Sequence, residues 1–332
     1  MSDNNATRHG EFWRREAIAF LALSYLQGVG FWTLHRVAKS GRSFHEFLKV
    51  SSPDELSRDL GVNVNSILTD QREGCSWDEF LEQLWHIGLV CARELKRQSI
   101  VMLFRGQDEF PLSLRSIDDC PFWIFVQGNK EILHKNGVAV VGTRKASDDG
   151  IFLTKLVVSS LVNKNIPIVS GLAKGIDQVA HFEAIKFGIP TIAVLGAGIL
   201  VDYPKGTSEL RNSIIEGGGC IITEYLPKQS YSSENFVRRN RIQAALSYVL
   251  VPTEWNIKSG TSHTVDYAYK YQRKIINVFL PNFYKLRPEI EFSEKKYSAV
   301  SCELPTDLDI FIKYIDGDLS YGFDNRQQDL NL

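Results

Sequence analysis

From residue 138 onward, short runs of β-branched residues alternate with amphipathic stretches of helical length, and this alternation restricts the possible folds most. Strands that are each followed by a helix form a parallel sheet with both faces covered, so strict alternation predicts a doubly wound, mostly parallel α/β sheet. The strand-like runs are 138–141, 166–169, 191–195, 220–223, 248–251 and 275–279. The helical stretches are 154–162, 176–187, 208–216, 242–246 and 263–271.

The part of the chain before residue 100 has a different sequence pattern. Helical periodicity covers residues 11–26 and 77–98, with short breaks rich in Gly, Ser and Asp between the segments. We therefore predict a small all-helical domain at 1–99 and a sheet domain at 100–280, whose lead-in, 100–136, adds one or two edge strands. Residues 281–332 are a C-terminal extension to which the sequence assigns no function.

The composition excludes several classes of protein. The chain of 332 residues is 44% hydrophobic and carries 38 Lys plus Arg against 39 Asp plus Glu, so any basic site must be local. Five scattered cysteines without a CxxC pair predict neither a disulfide framework nor a zinc site and are typical of a reducing cytosol. The N-terminus lacks the order of a signal peptide, and no apolar run approaches the length of a membrane span. These patterns predict a cytoplasmic protein without membrane insertion.

Four glycine-bearing turns follow the predicted strands, at 142–147, 170–175, 196–198 and 254–262. Ligands of doubly wound sheets bind beyond the carboxyl ends of the strands. Glycine allows the backbone to approach a ligand, and each helix N-terminus behind a turn offers N–H donors to an anion. Arg144 and Lys174 place full charges beside these donors. A single such turn is typical of the fold alone, but the four together favour phosphate binding.

These turns do not match the common nucleotide motifs. A dinucleotide site requires GxGxxG after a strand, whereas Gly142 is followed by Thr143, Arg144 and Lys145. The lysine loop of P-loop proteins is absent as well. We predict no cofactor and no metal site.

A second concentrated signal is FVRRNRIQAALS, residues 236–247. Arg238, Arg239 and Arg241 surround Asn240 at the start of a predicted helix, where like charges meet the positive end of the helix dipole unless an anion offsets them. A polyanion is one interpretation. The alternative is a solvated face on which arginines pair with Glu234 or Glu224. Similarly, Phe236 could stack on a base or act as a hydrophobic staple.

Together these motifs resemble the bacterial DNA-processing protein A family (DprA, also called Smf) over residues 100–278. The resemblance implies an extended Rossmann-like, homodimeric, non-catalytic protein that binds single-stranded DNA, protects it and hands it to the recombinase RecA in transformation or recombination. It marks Arg144, Lys174, Arg239 and Arg241 as DNA-contacting cations, and Ser170, Gly171, Ser259, Gly260 and Thr261 as backbone-binding turns. The matching motifs are Gly142-Thr143-Arg144 with Ser147 and Gly150, SGLAKGID with Ala180-His181, TIAVLGAG with Tyr203-Pro204, Thr223-Glu224, Phe236 with Arg239-Asn240-Arg241, and Glu254 with Ser259-Gly260-Thr261.

The sequence also departs from the family pattern. Members usually have tyrosine at Asp149, aspartate at Leu200 instead of Asp202, and proline at Val237. The chain end does not resemble the winged-helix domain of many members. These departures weaken the RecA-loading role more than single-strand binding. The helical N-terminus fits the sterile-alpha-motif-like or helix-hairpin-helix-like domain of the family, in which 28–30 is either a hairpin that meets phosphate or a simple helix break.

Two other function classes stay open at this stage. Related folds include nucleotide-sensing and nucleotide-cleaving domains, some of which could serve a defence system, and Glu224 or Glu254 would then act at the glycosidic bond. His181 and His263 are candidate bases, although a lone helical histidine is more often structural. The third class is an interaction protein in which residues 316–332 form an acidic docking tail or a frayed terminus.

Overall fold

The computed structural model describes residues 2–64 and 75–317, with side chains from residue 9 onward. Its fold is α/β, because a helical region precedes the strands of a mostly parallel sheet, and the predicted fold class is confirmed. The chain divides into two compact units. Unit one comprises residues 1–130, 197–201 and 222–231, and unit two comprises 131–196, 202–221 and 232–332. This division differs from the predicted boundaries at residues 99 and 280.

Unit one contains the predicted helices and an antiparallel hairpin. Ser43, Ser52 and Ser76 each accept a backbone N–H at a helix start, which explains where three of these helices begin. Residues 28–30 form the turn between the first two helices, with Gly28 at a φ of 84°. The elements are α1 Ser2–Tyr25, α2 Phe31–Lys39, α3 Phe44–Phe47, α4 Pro53–Leu60, α5 Trp77–Arg97, β1 Ile100–Phe104, α6 Leu112–Arg115 and β2 Trp123–Gly128.

An aromatic core fills unit one. The ring of Phe20 lies 4.7 Å from that of Trp123 and 5.0 Å from that of Phe44. Gly88 of α5 lies against α1, since a Cβ there would come within 2.3 Å of the Ile18 carbonyl oxygen. Only glycine allows this approach of the two helices.

Unit two contains strands in the order β6-β5-β4-β3-β7-β8-β9, and the last two residues of β6 are assigned to unit one. Strand order reverses at β3, which pairs in parallel with both β4 and β7. The crevice beyond the carboxyl ends of β3, β4 and β7 is therefore the switch point at which such sheets bind ligands. The strands are β3 Gly137–Gly142, β4 Ile168–Ser170, β5 Thr191–Val194, β6 Cys220–Thr223, β7 Ser247–Glu254, β8 Lys274–Phe279 and β9 Val300–Glu303.

Seven helices connect or flank these strands within the described part of unit two. They are α7 Asp148–Ser159, α8 Ile176–Lys186, α9 Ser208–Glu216, α10 Ser233–Ala245, α11 Gly260–Lys270, α12 Pro288–Tyr297 and α13 Leu308–Asp316. Among the residues that the structure describes, no helix is both long and apolar enough to cross a bilayer.

The C-terminal segment up to residue 317 is an integral part of unit two. Strand β9 pairs in parallel with β8, and Cys302, Phe311 and Ile315 pack into the same apolar core as Val249 and Ile276. The sheet and its core therefore continue beyond residue 280. Most of the predicted docking tail, residues 318–332, lies outside the described residues.

If α13 is a true core element, Phe311→Ala should destabilise the protein by roughly 3–5 kcal/mol, because the fully buried ring leaves a cavity. The matched control is Phe182→Ala on α8, where the ring is 56% exposed and the change should cost less than about 1 kcal/mol. Urea unfolding of both variants measures the difference. Equal free energies of unfolding would mean that α13 does not pack as described.

Candidate nucleic-acid interface

The turns after β3, β4 and β7 meet at the carboxyl edge of unit two. The Thr143 N–H donates to the Glu254 carbonyl at 2.7 Å, and the Ile176 N–H donates to the Thr143 carbonyl at 3.1 Å. The Thr261 hydroxyl donates to the Gly142 carbonyl at 3.0 Å. Three of the four predicted turns are thus joined directly to one another.

Two glycines in these turns are required by packing. Gly175 has a φ of 83°, and a Cβ there would lie 2.3 Å from the Thr143 carbonyl oxygen. A Cβ on Gly142 would lie 2.6 Å from Cγ1 of Ile176. Both glycines therefore allow the β3 and β4 turns to pack together, which is a structural requirement that precedes any contact with a ligand.

A buried charge cluster, Asp177, Gly171 and Arg239, lies beneath this edge. The Asp177 carboxylate accepts the Gly171 N–H at 3.1 Å, and Nη1 of Arg239 donates to the Val194 carbonyl at 2.7 Å. Burial raises the pKa of Asp177, whereas Arg239 and the N–H groups of Ala173, Gly142 and Gly171 act to lower it. The carboxylate thus takes the Gly171 N–H that the sequence had assigned to phosphate.

Arg239 and Arg241 were predicted to contact DNA, but the structure places both side chains inside unit two, with exposed fractions of 4% and 0%. Nη1 of Arg241 donates to the Arg238 carbonyl at 3.2 Å. Asn240 is also buried, and its amide donates to the Gly260 carbonyl at 3.0 Å, which fixes the start of α11. These residues hold the edge together in this structure, and they do not form its surface.

Ser170 and Thr261 likewise support the edge from within. The Ser170 hydroxyl is fully buried and donates to the Val140 carbonyl at 2.6 Å, which joins β4 to β3. Thr261, only 9% exposed, uses its hydroxyl on the β3 turn. Both hydroxyls already donate to carbonyl oxygens of the protein. The predicted contacts of Ser170 and Thr261 with a DNA backbone stay predictions.

The N-terminus of α7 is also occupied from within the protein. The Ser147 hydroxyl accepts the Gly150 N–H at 3.0 Å, and the Ser147 N–H donates to Oε2 of Glu254 at 2.9 Å. Two backbone N–H donors of the potential anion site behind the β3 turn therefore already have partners, and the site itself stays a prediction. These partners are the protein's own hydroxyl and carboxylate.

Arg144 and Lys174 remain exposed at the edge, as do Lys145 and Lys258. Within 2–64 and 75–317, neither Arg144 nor Lys174 forms an ion pair. The Arg144 guanidinium instead lies 5.0 Å from the ring centroid of Phe236. These cations are free to attract a phosphate, because no carboxylate of the described chain neutralises them.

The half-buried ring of Phe236 has a second aromatic neighbour, Tyr203, at a centroid distance of 5.2 Å. A Cβ on Gly196 would lie 2.4 Å from the Phe236 ring, so this glycine gives the ring its place. At the nearby start of α11, Gly260 is exposed and Ser259 makes no side-chain cap. Cations, an aromatic face and uncapped N–H donors together suit a chain of phosphates and bases.

His181 and the two candidate glutamates have structural positions. His181 is fully buried, and its Nδ1 lies 2.7 Å from the Thr191 hydroxyl, which itself donates to the Ile168 carbonyl. The hydroxyl therefore accepts from Nδ1–H, and burial, followed by the charge of Arg239, lowers the pKa of His181 to about 3. Glu224 is buried in unit one, whereas Glu254 lies in unit two. His263 is exposed on α11.

Sequence analysis missed Asp177 and the ring of Tyr203 as members of this edge. Asp177 is the last residue of SGLAKGID. Because three arginines follow at 238–241, this aspartate could have been predicted as a partner for one of them inside the protein. Tyr203 belonged to a quoted motif, but its contact with Phe236 joins residues 33 positions apart in sequence, which no local pattern reveals. In the described part of the chain, no group of three or more His, Cys, Asp or Glu is placed to hold a metal.

Residues 101–287 match the family described as DNA recombination-mediator protein A. The DNA processing protein DprA of Streptococcus pneumoniae is 37% identical over 249 residues, which cover 74% of this chain and 85% of that protein.

Two solved structures are similar to this chain in fold. The X-ray structure of DprA from Streptococcus pneumoniae superposes with a TM-score of 0.63 at 25% identity, and covers 89% of this chain and 97% of that one. DNA processing protein A from Helicobacter pylori, whose single-stranded DNA binding mode has been described, superposes with a TM-score of 0.57 at 24% identity. That match covers 66% of this chain and 96% of the other, and it supports the fold.

Gly171→Ala should destabilise unit two by roughly 3 kcal/mol, because a Cβ would lie 1.6 Å from Nη1 of Arg239 and 2.5 Å from Oδ2 of Asp177. Gly260→Ala is the matched control, since a Cβ there has no atom within 4 Å and should change stability by less than about 0.5 kcal/mol. Urea denaturation distinguishes the two. A fully stable Gly171→Ala protein would show that the cluster is not packed as described.

Stability should fall as the pH is lowered from 6.5 to 5. The folded pKa of His181, about 3, lies below its unfolded value, so only the unfolded chain takes up the proton in this window. The loss from this residue should be roughly 1.4 kcal/mol per pH unit. Urea unfolding at several pH values should show this slope in the parent and in His263→Gln but a smaller one in His181→Gln. An unchanged slope in His181→Gln would assign the pH dependence to other groups.

Proposed function

The chain belongs to the DNA recombination-mediator protein A family, and on this premise we propose that it is a single-stranded DNA-binding protein. The observation that carries the proposal is the pair of exposed cations, Arg144 and Lys174, at the carboxyl edge of the sheet. Exposed cations without acidic partners attract phosphate and release its counterions on binding. A relative with a DNA-processing name matches 74% of this chain.

We assign separate roles to the surface and the interior of this edge. Arg144, Lys174 and the start of α11 at Ser259 and Gly260 contact the DNA backbone, and Phe236 stacks on a base. The buried residues hold these surface residues in position. Asp177 and Arg239 fix the turns, and Asn240 fixes Gly260. The remaining predicted contacts, Gly142, Ser147, Ser170, Gly171, Arg241 and Thr261, support this surface through the packing and hydrogen bonds described above.

Single strands suit this arrangement better than duplex. The ring of Phe236 among several phosphate-binding groups offers stacking to any unpaired base but few hydrogen bonds to base edges. A duplex keeps its bases stacked on each other and could use only the cations. We therefore propose binding that depends little on sequence and strongly on salt.

The wider role follows from family membership and is part of the same proposal. The protein protects single strands and assists their loading with a RecA-type recombinase in bacterial transformation or recombination, as a cytoplasmic homodimer and without catalysis. Glu254, the candidate acid in unit two, holds the start of α7, because its Oε2 accepts the Ser147 N–H. The buried cluster of Asp177 and Arg239 likewise serves the fold.

Lys174→Ala should weaken binding of an oligo-dT strand several-fold while the melting temperature stays unchanged, because the lysine is exposed and forms no hydrogen bond or ion pair with a described residue. The salt dependence, measured as the slope of log K against log salt, should decrease by about 0.7, which is the contribution of one phosphate. Fluorescence anisotropy with labelled single-stranded and duplex oligonucleotides provides both values. Arg144→Ala should behave in the same way.

Lys186→Ala is the control, since Lys186 lies at the opposite end of α8 from Lys174 and is also exposed to solvent. Its affinity and salt slope should equal those of the parent. Equal affinity of the parent for duplex and single strand would refute the proposal, and so would a flat salt response. Nuclease or nucleotidase turnover that Glu224→Gln abolishes would favour the hydrolase alternative instead.

A further inference from the structure

A cleft of about 260 Å³ opens beside the carboxyl ends of β3, β7 and β8, and neither Arg144 nor Lys174 lines it. One wall is apolar and includes Leu153 and Phe283. Polar groups from Asp149, Glu254, Trp255 and Arg287 also line it. A volume of this size admits one purine base between the walls.

Two N–H donors of cleft-lining residues have no acceptor. Trp255 is only 2% exposed, and its indole Nε1 has no hydrogen-bond partner among the residues that the structure describes. Arg287 donates from Nε to Glu289 at 2.6 Å and from Nη1 to the carbonyls of Thr253 and Val278, yet its Nη2 also lacks an acceptor there. A buried donor without an acceptor costs free energy, which a ligand oxygen or ring nitrogen would recover.

Glu254, whose carboxylate accepts hydrogen bonds, lines the same cleft. Oε2 of Glu254 receives the Ser147 N–H, whereas Oε1 accepts no hydrogen bond from any described residue. Gly150 makes room for this carboxylate, because a Cβ there would lie 2.1 Å from Oε2. The carboxylate is thus held by the start of α7, and Oε1 and the second lone pair of Oε2 are left for ligand donors.

These groups select among planar ligands. Guanine carries N–H donors at N1 and N2 on one edge and acceptors at O6 and N7 on the other, whereas adenine presents an acceptor at N1 that a carboxylate repels. We propose that this cleft binds a guanine base, with Glu254 accepting from N1–H and N2–H, and with the N–H groups of Trp255 and Arg287 on the side of O6 and N7. The base comes from a free guanine nucleotide or from a guanine in a bound strand.

The test uses nucleosides without phosphate, so that the cations of the proposed DNA surface play no part. In calorimetric titrations, guanosine should bind the full-length protein, inosine should bind more weakly because it lacks the N2 amino group, and adenosine should not bind. Glu254→Gln should weaken guanosine binding at least about tenfold, since an amide cannot accept both donors. Glu216→Gln, an exposed glutamate at the end of α9, is the control with the same loss of charge and should bind like the parent.

A second variant tests the same cleft in case Glu254→Gln does not fold. Phe283→Ser removes part of the apolar wall on an exposed loop, and it should also weaken guanosine binding while the melting temperature stays unchanged. Failure of guanosine to bind the parent, or equal binding of adenosine, overturns the inference. Unchanged guanosine binding in both variants, each with the parent's melting temperature, does so as well.

Oligonucleotides distinguish the two sources of the base. If the guanine comes from a strand, oligo-dT with one central guanine should bind more tightly than plain oligo-dT, and Glu254→Gln should remove only that gain. If the ligand is a free nucleotide, guanosine binds but the two oligonucleotides bind equally. Binding of plain oligo-dT tests the proposed DNA surface separately, so failure of one proposal leaves the other measurable.

Discussion

The negative charge of Asp177 inside unit two sets the arrangement of the turns around it. A carboxylate in a buried position is tolerated only when hydrogen bonds and a cation compensate for its lost hydration. Here the Gly171 N–H and the Arg239 guanidinium provide that compensation, and Arg239 in turn binds the carbonyl of Val194 at the end of β5. One charge therefore connects β4, β5, α8 and α10, and it explains why glycine at 171 and arginine at 239 occur together.

The fold was predictable from the sequence because its main determinant is local. Strands at 220–223 and 191–194 and the helix at 208–216 lie where β-branched runs and amphipathic periodicity predicted them. Helix starts were less accurate. Helix α7 begins at Asp148, six residues before the apolar run, because Ser147 caps the helix, and α10 begins at Ser233 because Ser232 does so. The contribution of β9 and α13 to the core could not be predicted, since it depends on packing against β8 over long sequence distances.

The carboxyl edge of the sheet was predicted only in part. The argument that its arginines need an anion holds for Arg239, but the anion beside Arg239 belongs to the protein. The clustered arginines lie in the middle of α10 and not, as predicted, at its start, but Arg239 does have an anion beside it, namely Asp177. Sequence alone cannot distinguish an internal carboxylate from an external phosphate, because both satisfy the same charge and the same N–H donors. Burial makes the distinction: Arg144 and Lys174 reach solvent, whereas Arg239 and Arg241 do not. The proposed DNA surface is consequently smaller than the set of motif residues that supports it.

The pairing of β3 with β7 also has a consequence for how the chain is made. Gly137 pairs with Ser247, so 110 residues (247 − 137) must be synthesised before the second neighbour of β3 exists. Its first neighbour, β4, follows after only a helix, and β5 then adds to β4 in the same direction. The growing chain can thus build β3-β4-β5 early, while the other side of β3 keeps its backbone N–H and carbonyl groups open. A nascent chain is most exposed to wrong strand pairing in that interval, which ends when β7 arrives.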